Sequence, residues 1–514
     1  MKKIINEASI LAATEILREY KAARSTLESR LIENEEWWRM RHADPTKKVP
    51  SAWLFNSIIN KHADAMDNIP TCACLPREEK DKDSAKLLDN VLPCILEETE
   101  FEKVYSDCWY EKLKSGTGCY GVFWNSALDF GLGNIDIRPI DVINLFWEPG
   151  INDIQASKNT FHIELWDNDE LIGKYPQCAE SVSSAYLDTA KYVYDETVDT
   201  GDKSVVIDWY YKKKQNGRSV LHYCKFVGNT VLFASENDEK YSKLGYYEHG
   251  LYPFVFDKLY PVKNSPCGFG IIDAMKGTQG EIDSLGTSIV KNAKMASERR
   301  FFVRSDGSLN EKEFADWSRP FVHYSGSGDP TSSIMPINVP TLPAVYLAIL
   351  NNKIDELKET SGNRDFSQGT VTGGVTAASA IAALQEAGNK TTRDIISGSY
   401  RAFEEICRII LELIRQFYVI PRHYRICGSD GYDFKALSKD KLTAPIYDIK
   451  VYAHKKSPFS RASSNELACR LYELGMFRPE NRSSAEICLK MMDFEGKEEI
   501  EAALKGYFGG DNAL

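Results

Sequence analysis

The chain has 514 residues, a formal net charge of −11 and twelve cysteines. That length calls for two to four substructures rather than one small core. Apolar residues at 43% and charged residues at 27% fit a folded soluble chain rather than a disordered one.

No apolar run nears the roughly 18 residues needed to cross a bilayer; Ala344 to Leu350 is among the longest. Near the N-terminus, Asn6 and Glu7 interrupt the apolar run that a signal peptide needs. The expectation is a chain that neither spans a membrane nor is exported by that route. Acidic residues outnumber basic ones, 74 to 63, which argues against gripping free nucleic acid through a basic surface. A protein that surrounds DNA without holding it stays open. The cysteines are scattered, and the close pair Cys72 and Cys74 lacks the second half of a zinc site. They read as small buried hydrophobes in a reducing cytoplasm, with no metal.

In chain order, residues 8–42 read as a helix through Ile10, Leu11, Ile16, Leu17, Leu27 and Leu31, stopped by Pro45. A second helix covers 52–66 and ends at Asn68-Ile69-Pro70. A third, from about 84 to 113, carries Leu87, Leu88, Val91, Leu92, Ile95 and Leu96, and Pro93 should kink or split it. From Gly118 the period becomes two. Residues 120–124 and 135–140 read as a hairpin, with further strands at 142–147, 159–166, 203–213, 219–226 and 229–234. Helices first, then a mostly antiparallel sheet, make an α+β fold.

The second half opens with a polar helix over 268–298, roughly 45 Å long, that contains Gly277, Gly280 and Gly286. Each interior glycine costs up to about 1 kcal/mol, so three of them suit close approach of a helix from a neighbouring subunit. A compact insert follows over 301–340, with strand-like 300–303, a short helix at 310–317, strand-like 321–324 and a Gly/Ser/Pro-rich stretch at 325–336. A helix over 342–359 returns, which puts the insert at the far end of a two-helix stalk. A glycine- and threonine-rich segment, 360–376, leads into an alanine-rich helix from 377 to 418, roughly 60 Å long. Gly388 and Gly398 are its kink points, and Ile395, Phe403, Ile406, Ile410, Leu413 and Phe417 mark a buried face. Strands at 422–428 and 446–453 and short helices from 463 to 505 complete the chain.

Catalytic signatures are missing. There is no G-x-x-x-x-G-K-[ST] loop, H-E-x-x-H or G-x-S-x-G, and Gly268-Phe269-Gly270 is too short for a dinucleotide fingerprint. Asp208 and the run Asp167-Asn168-Asp169-Glu170 are the carboxylates a hydrolase would draw on. The segment 361–376 either cradles phosphate through backbone N–H groups or is a plain surface loop.

Stalk helix, insert, stalk helix, loop and long kinked helix, in that order, resemble the portal protein of tailed bacteriophages. Glu359-Thr360-Ser361-Gly362-x-Arg364, followed by Gly373-Gly374-Val375-Thr376-Ala377-x-Ser379-Ala380-Ile381, is similar to the portal pattern of an E-T-[ST]-G turn before a small-residue helix start. Gly268-Phe269-Gly270 with Gln279, Ile282, Asp283 and Leu285 resembles the opening of the first stem helix, although the family more often has Asn where Asp283 stands. The run from Asn465-Glu466-Leu467-Ala468 through Leu474-Gly475-Met476-Phe477 to Met492-Asp493-Phe494-Glu495-Gly496-Lys497 looks like portal tails. These motifs cover about 260 to 510, and the N-terminal half matches by layout only.

The resemblance implies a helical and β wing over 1–262 and 377–455, with the long kinked helix opening the second part. It implies a two-helix stem (263–298 and 341–360), a small α/β clip (299–340), a tunnel loop (361–376) and a helical crown (456–514). It implies a homo-oligomeric ring, usually of twelve subunits, at one capsid vertex, with double-stranded DNA passing through. Terminase, head–tail adaptor, capsid and scaffolding proteins would be its partners. No enzymatic activity, cofactor or membrane is implied, and the location is the virion, after assembly in the bacterial host cytoplasm.

Within that layout, Asn363, Arg364, Asp365, Gln368, Thr370, Thr372 and Thr376 would face the channel. The Asp365 charge offsets Arg364, as a surface that must let DNA slide requires. Lys291, Lys294, Arg299 and Arg300 would form a basic collar, or simply favour a helix C-terminus. Phe314, Trp317, Phe321 and Tyr324 would contact partners, or pack the clip's own core. The rival readings are a carboxylate-dependent hydrolase or nuclease and a different phage capsid or tail structural protein.

Overall fold

The computed structural model describes residues 4–42, 50–182, 200–215, 217–298, 300–304, 309–326, 329, 334–337, 343–362, 390–428, 431–442, 447–455, 458–474, 488–489 and 492. The chain divides into two compact units, one built on 1–35, 58–273 and 371–514, the other on 36–57 and 274–370.

The helices in chain order are α1 (Glu7–Ala23), α2 (Ser25–Trp38), α3 (Trp53–Met66), α4 (Lys82–Glu98), α5 (Phe101–Ser115), α6 (Asn168–Lys174), α7 (Ala179–Val182), α8 (Ile271–Ser297), α9 (Glu311–Ala315), α10 (Ala344–Ser361), α11 (Lys390–Phe417) and α12 (Pro458–Glu473). The strands are β1 (Asn68–Leu75), β2 (Thr117–Asn125), β3 (Asn134–Pro139), β4 (Leu145–Trp147), β5 (Asn159–Asp167), β6 (Lys203–Gln215), β7 (Arg218–Val227) and β8 (Thr230–Ala234). They continue with β9 (Phe254–Lys258), β10 (Tyr260–Pro261), β11 (Gly268–Phe269), β12 (Arg300–Val303), β13 (Ile334–Ile337), β14 (Arg422–Gly428), β15 (Gly431–Leu437) and β16 (Asp448–Lys455).

In the first unit, β4-β5-β6-β7-β8 form an antiparallel sheet. Side chains on a strand alternate between faces, and each face here carries an apolar cluster. Phe161, Ile163, Ile207, Trp209, Tyr211 and Phe226 pack under Ile10, Ala13, Leu17 and Tyr20 of α1. Val206, Val227 and Leu232 pack with Leu171 of α6 and Cys178. A second sheet runs β3-β2-β9. The apolar stripe of α11, with Phe403, Ile406, Ile410, Leu413 and Ile414, is buried. Its Phe417 ring stacks on Trp124 of β2 at 4.7 Å. Gly116 closes α5 at φ +90°, and a Cβ there would strike the Phe269 backbone, so no other residue fits.

Several elements depart from the sequence expectation. The helix expected over 8–42 breaks at Arg24, whose guanidinium is buried against the carbonyls of Leu145 and Ile143 and over the Phe146 ring. Pro93 does not split the helix. Buried Leu88, Val91, Leu92 and Ile95 carry α4 past it, and the chain turns instead at Glu100, at φ 50°. Asn68-Ile69-Pro70 is no helix terminator alone but the start of β1, paired with β16. Only 145–147 of the expected strand at 142–147 is extended, because the Asp141 carboxylate accepts from the Ile143 N–H and turns 142–144 into a 3-10 coil.

The second unit holds most of α8, α10 and the insert. Glu281 of α8 pairs with Lys353 of α10 at 2.9 Å. Asp283 accepts from the Ser51 N–H at 2.8 Å, the Ser51 hydroxyl at 2.7 Å and the Gln279 amide at 2.8 Å. Gln279 Oε1 accepts from the Leu54 N–H at 3.1 Å, so these two α8 residues hold the start of α3. In the insert, β12 pairs with β13, which lies in the Gly/Ser/Pro-rich stretch. The expected strand at 321–324 reduces to one bridge between Leu309 and Tyr324. A Cβ at Gly277 or Gly286 would meet nothing within 4 Å, and one at Gly280 only the Trp37 ring at 3.5 Å.

Candidate functional site

Asn363, Arg364, Asp365, Gln368, Thr370, Thr372 and Thr376, together with helix residues 377–389, lie outside the described residues. The approach to that segment is defined. Ser361 is buried, and Gly362 ends α10 in the left-handed region at φ +71°, its N–H donating to the Glu359 carbonyl at 3.1 Å. The E-T-S-G motif is therefore a glycine-capped helix end.

Lys291 and Lys294 are exposed, one turn apart near the end of α8, and exposed Arg300 opens β12; Arg299 is outside the described residues. Of the insert aromatics, Phe314 packs edge-to-face on Phe301 at 5.0 Å. Tyr324 is half-buried at its bridge to Leu309. Trp317 and Phe321 are 96% and 76% exposed. Phe302 and Met335, on the β12–β13 ribbon, are also exposed. A two-stranded ribbon with apolar side chains on both faces was the signal that could have added them.

Asp167 pairs with Lys203 at 2.9 Å, and Asp169 and Glu170 lie exposed in the first turn of α6, where the helix dipole favours them. Asp208 is buried on β6. Its carboxylate accepts from the Tyr223 hydroxyl at 2.7 Å, with the Lys225 ammonium at 3.1 Å and His162 at 3.8 Å. Beside it, Glu164 accepts from Arg138 at 2.8 Å and from the Trp166 indole at 2.9 Å. Burial alone would raise the Asp208 carboxyl, but Lys225, His162 and Tyr223 outweigh it and hold it well below the usual carboxylate range. The donor atoms of His162, Glu164 and Asp208 lie within 4.8 Å of one another, a spacing that suits a metal. Two cations of the chain, Lys225 and Arg138, already neutralise the two carboxylates. Asp208 and His162 are buried in this ion-pair network, and Arg138 at its edge is partly exposed.

A second buried network joins three elements. Lys112 of α5 donates to Asp257 of β9 at 2.7 Å, to the Ser399 hydroxyl of α11 at 2.6 Å and to the Ile395 carbonyl at 3.2 Å. Ser399 in turn donates to Asp257. The ammonium also sits 4.3 Å from the Trp109 ring centre. A serine beside a lysine is the atom set of a nucleophile and its base. Here both are buried at a junction of helices and strand, and the arrangement fixes α11 rather than opening to a cleft. No local motif announces it, since its members come from three distant segments. The detectable signal was Lys112 itself, on the apolar stripe of Tyr105, Cys108 and Trp109 at helical spacing.

Among the described residues, eleven cysteines are free thiols, and all of these but Cys94 and Cys469 are buried. No described helix is long and apolar enough to cross a membrane.

No curated protein matches the chain. Among solved structures, a chain of the virion of a native gene transfer agent (GTA) particle aligns over 86% of this chain and 91% of its own, at 9% identity and a TM-score of 0.40. The profile of the phage P22-like portal protein family matches residues 57–510. That match takes in β1, α8, α10, the insert between them, the long helix α11 and α12, and by it the chain belongs to the phage P22-like portal proteins.

Proposed function

We propose that this portal subunit closes into a ring of twelve copies at one capsid vertex and conducts double-stranded DNA through the ring axis without chemistry of its own. The observation that carries this reading is the family match over 57–510. In the ring, 263–298 and 341–360 are the stem, 299–340 the clip, 361–376 the tunnel loop, 1–262 with 377–455 the wing, and 456–514 the crown. The clip meets the terminase during packaging and the head–tail adaptor afterwards, through Trp317 and Phe321. Capsid and scaffolding proteins surround the wing.

The physical chemistry supports this assignment. A net charge of −11 gives little counterion release against phosphate, so the ring lets DNA pass. In the tunnel loop, Asn363, Gln368, Thr370, Thr372 and Thr376 offer short-lived hydrogen bonds, while Asp365 cancels Arg364. Gly277 and Gly286, beside which no described residue comes within 4 Å of an added Cβ, leave room for a neighbouring stem.

Twelve copies of 58.1 kDa give roughly 0.7 MDa. Light scattering should give that mass, and negative-stain images should show rings with an axial hole wider than duplex DNA. A chain that stays monomeric in every condition refutes the proposal. Arg364→Ala, or shortening 366–373, should impair DNA packaging and leave rings intact; loss of rings would overturn the tunnel-loop assignment alone.

A further inference from the structure

Strands β2 and β3 stay paired as far as Asn125 and Asn134, and residues 126–133 connect them. This turn closes on itself. The Gly131 and Gly133 N–H groups donate to the Leu128 carbonyl at 3.1 and 3.0 Å, and the Leu132 N–H donates to the Asp129 carbonyl at 3.1 Å. It is also pinned from outside. The Arg422 guanidinium pairs with the Asp129 carboxylate at 3.0 Å and donates to the Leu132 and Gly133 carbonyls. The same guanidinium lies 4.3 Å from the Tyr418 ring centre. Gly133 sits so close to the Trp124 indole that a Cβ would strike it.

Inside this frame the backbone takes a form that side chains resist. Asp129 and Phe130 have φ 51° and 56°, followed by Gly131 at 93°. A left-handed residue with a Cβ is strained, and a plain connecting turn places Gly or Asn there. The strained residue here carries an apolar ring in full contact with solvent, since Phe130 is 110% exposed. Leu128 and Leu132 beside it, and Val419 and Ile420 just before Arg422, are exposed as well. Arg422 is taken up by Asp129, so the tip has no spare cation for a phosphate, and DNA is not its ligand. The five apolar side chains offer roughly 500 Å², less than the ~800 Å² per partner of a stable interface. A patch of that size does not hold a free protein by itself. It adds a contact where others have already brought the partner, and in a ring that partner is the next copy of the chain.

We propose that the β2–β3 tip is an assembly knob, with the Phe130 ring seated in an apolar hollow of the adjacent copy. The knob depends on the ring reading above, to which it adds a residue that each copy lends to its neighbour. Every copy gives one knob and receives one, a head-to-tail contact that is satisfied throughout only when the ring closes. Burying the ring on assembly offsets both its exposure and the left-handed strain. The lone subunit gains nothing from Phe130, so glycine at 130 suits the subunit at least as well and the ring less well.

The test replaces Phe130 by the photo-cross-linker p-benzoylphenylalanine in the full-length protein, irradiates purified rings, and reads the products by denaturing gels and mass spectrometry. The expected result is a ladder of linked copies, with position 130 joined to one apolar surface of the same chain. Phe130→Ser and Phe130→Gly should each raise at least tenfold the protein concentration at which half the rings dissociate, measured by light scattering. Phe130→Gly should leave the thermal midpoint of the dissociated subunit unchanged or raised, whereas a ring that packed its own fold would lower it. Rings that form without a cross-link from 130, or that withstand both substitutions undiminished, would overturn the knob and leave the ring reading standing. Cross-linking in phage lysate to a different protein alone would overturn it equally. A parent chain that never forms rings overturns both.

Discussion

The Lys112 ammonium lies 2.7 Å from the Asp257 carboxylate, and the two side chains are 0% and 2% exposed. Burial pushes the lysine below its ordinary value, and Asp257 offsets part of that. Such a pair is costly to break from one side, because the remaining charge stays buried without its partner. Lys112→Met and Asp257→Asn should each lower the unfolding free energy by about 3–5 kcal/mol. The double replacement Lys112→Met/Asp257→Asn should cost clearly less than the sum. Urea titration followed by far-UV circular dichroism measures all three. Additive losses would show that the pair is not coupled.

How far the sequence reached depends on how local each signal was. The buried face of α11 and the β2–β3 and β6–β7 pairs were legible, because period and turn residues lie within one segment. Strand β1 was not, since its partner β16 is more than 370 residues away and Pro70 reads locally as a stop. Nor was the break at Arg24, which comes from a guanidinium capturing distant carbonyls. The insert aromatics were legible as residues but not as packing partners. Pattern finds an aromatic, but the fold decides that Phe314 packs on Phe301 while Trp317 stands in solvent.

Asp283 offers a test of how the start of α3 is held. Its carboxylate receives the Ser51 amide and hydroxyl and the Gln279 amide, with His42 at 3.2 Å. Asp283→Ala orphans these donors and should cost about 1–3 kcal/mol. Asp283→Asn keeps one acceptor in the same place and should cost about 1 kcal/mol or less. Hydrogen exchange at the Ser51 and Leu54 amides reads the local effect. Protection that is equal in the alanine variant and the parent would refute this role.

His249 supplies an acid-side prediction. Burial, with the Lys212 charge nearby, pushes its imidazole down to about 4. Its Nδ1 accepts from the Leu251 N–H at 3.0 Å, which also needs the neutral ring. A folded value below the unfolded one of about 6.5 means that the stabilisation is complete above pH 6.5 and is lost as pH falls towards 4. The loss amounts to about 3 kcal/mol. His62 and His222 are lowered in the same direction, so the parent slope is a sum. The difference between parent and His249→Phe isolates the one group. Urea midpoints at pH 7 and pH 4.5 should diverge less in the variant; an unchanged pH dependence would place the cause elsewhere.

Trp317 and Phe321 separate docking from folding. Both rings are exposed among the described residues, so Trp317→Ala and Phe321→Ala should shift unfolding by no more than about 0.5 kcal/mol. Phe314→Ala removes an edge-to-face contact and should destabilise the insert by about 1 kcal/mol. Desolvated aromatic anchors typically carry about 2 kcal/mol or more of binding energy, so either exposed-ring variant should weaken the ring's affinity for terminase more than tenfold. Surface plasmon resonance on assembled rings gives that affinity, and differential scanning calorimetry gives the stability. A variant that binds terminase as the parent does would remove these rings from the docking surface. A variant that binds normally yet melts early would instead make them part of the insert's own packing.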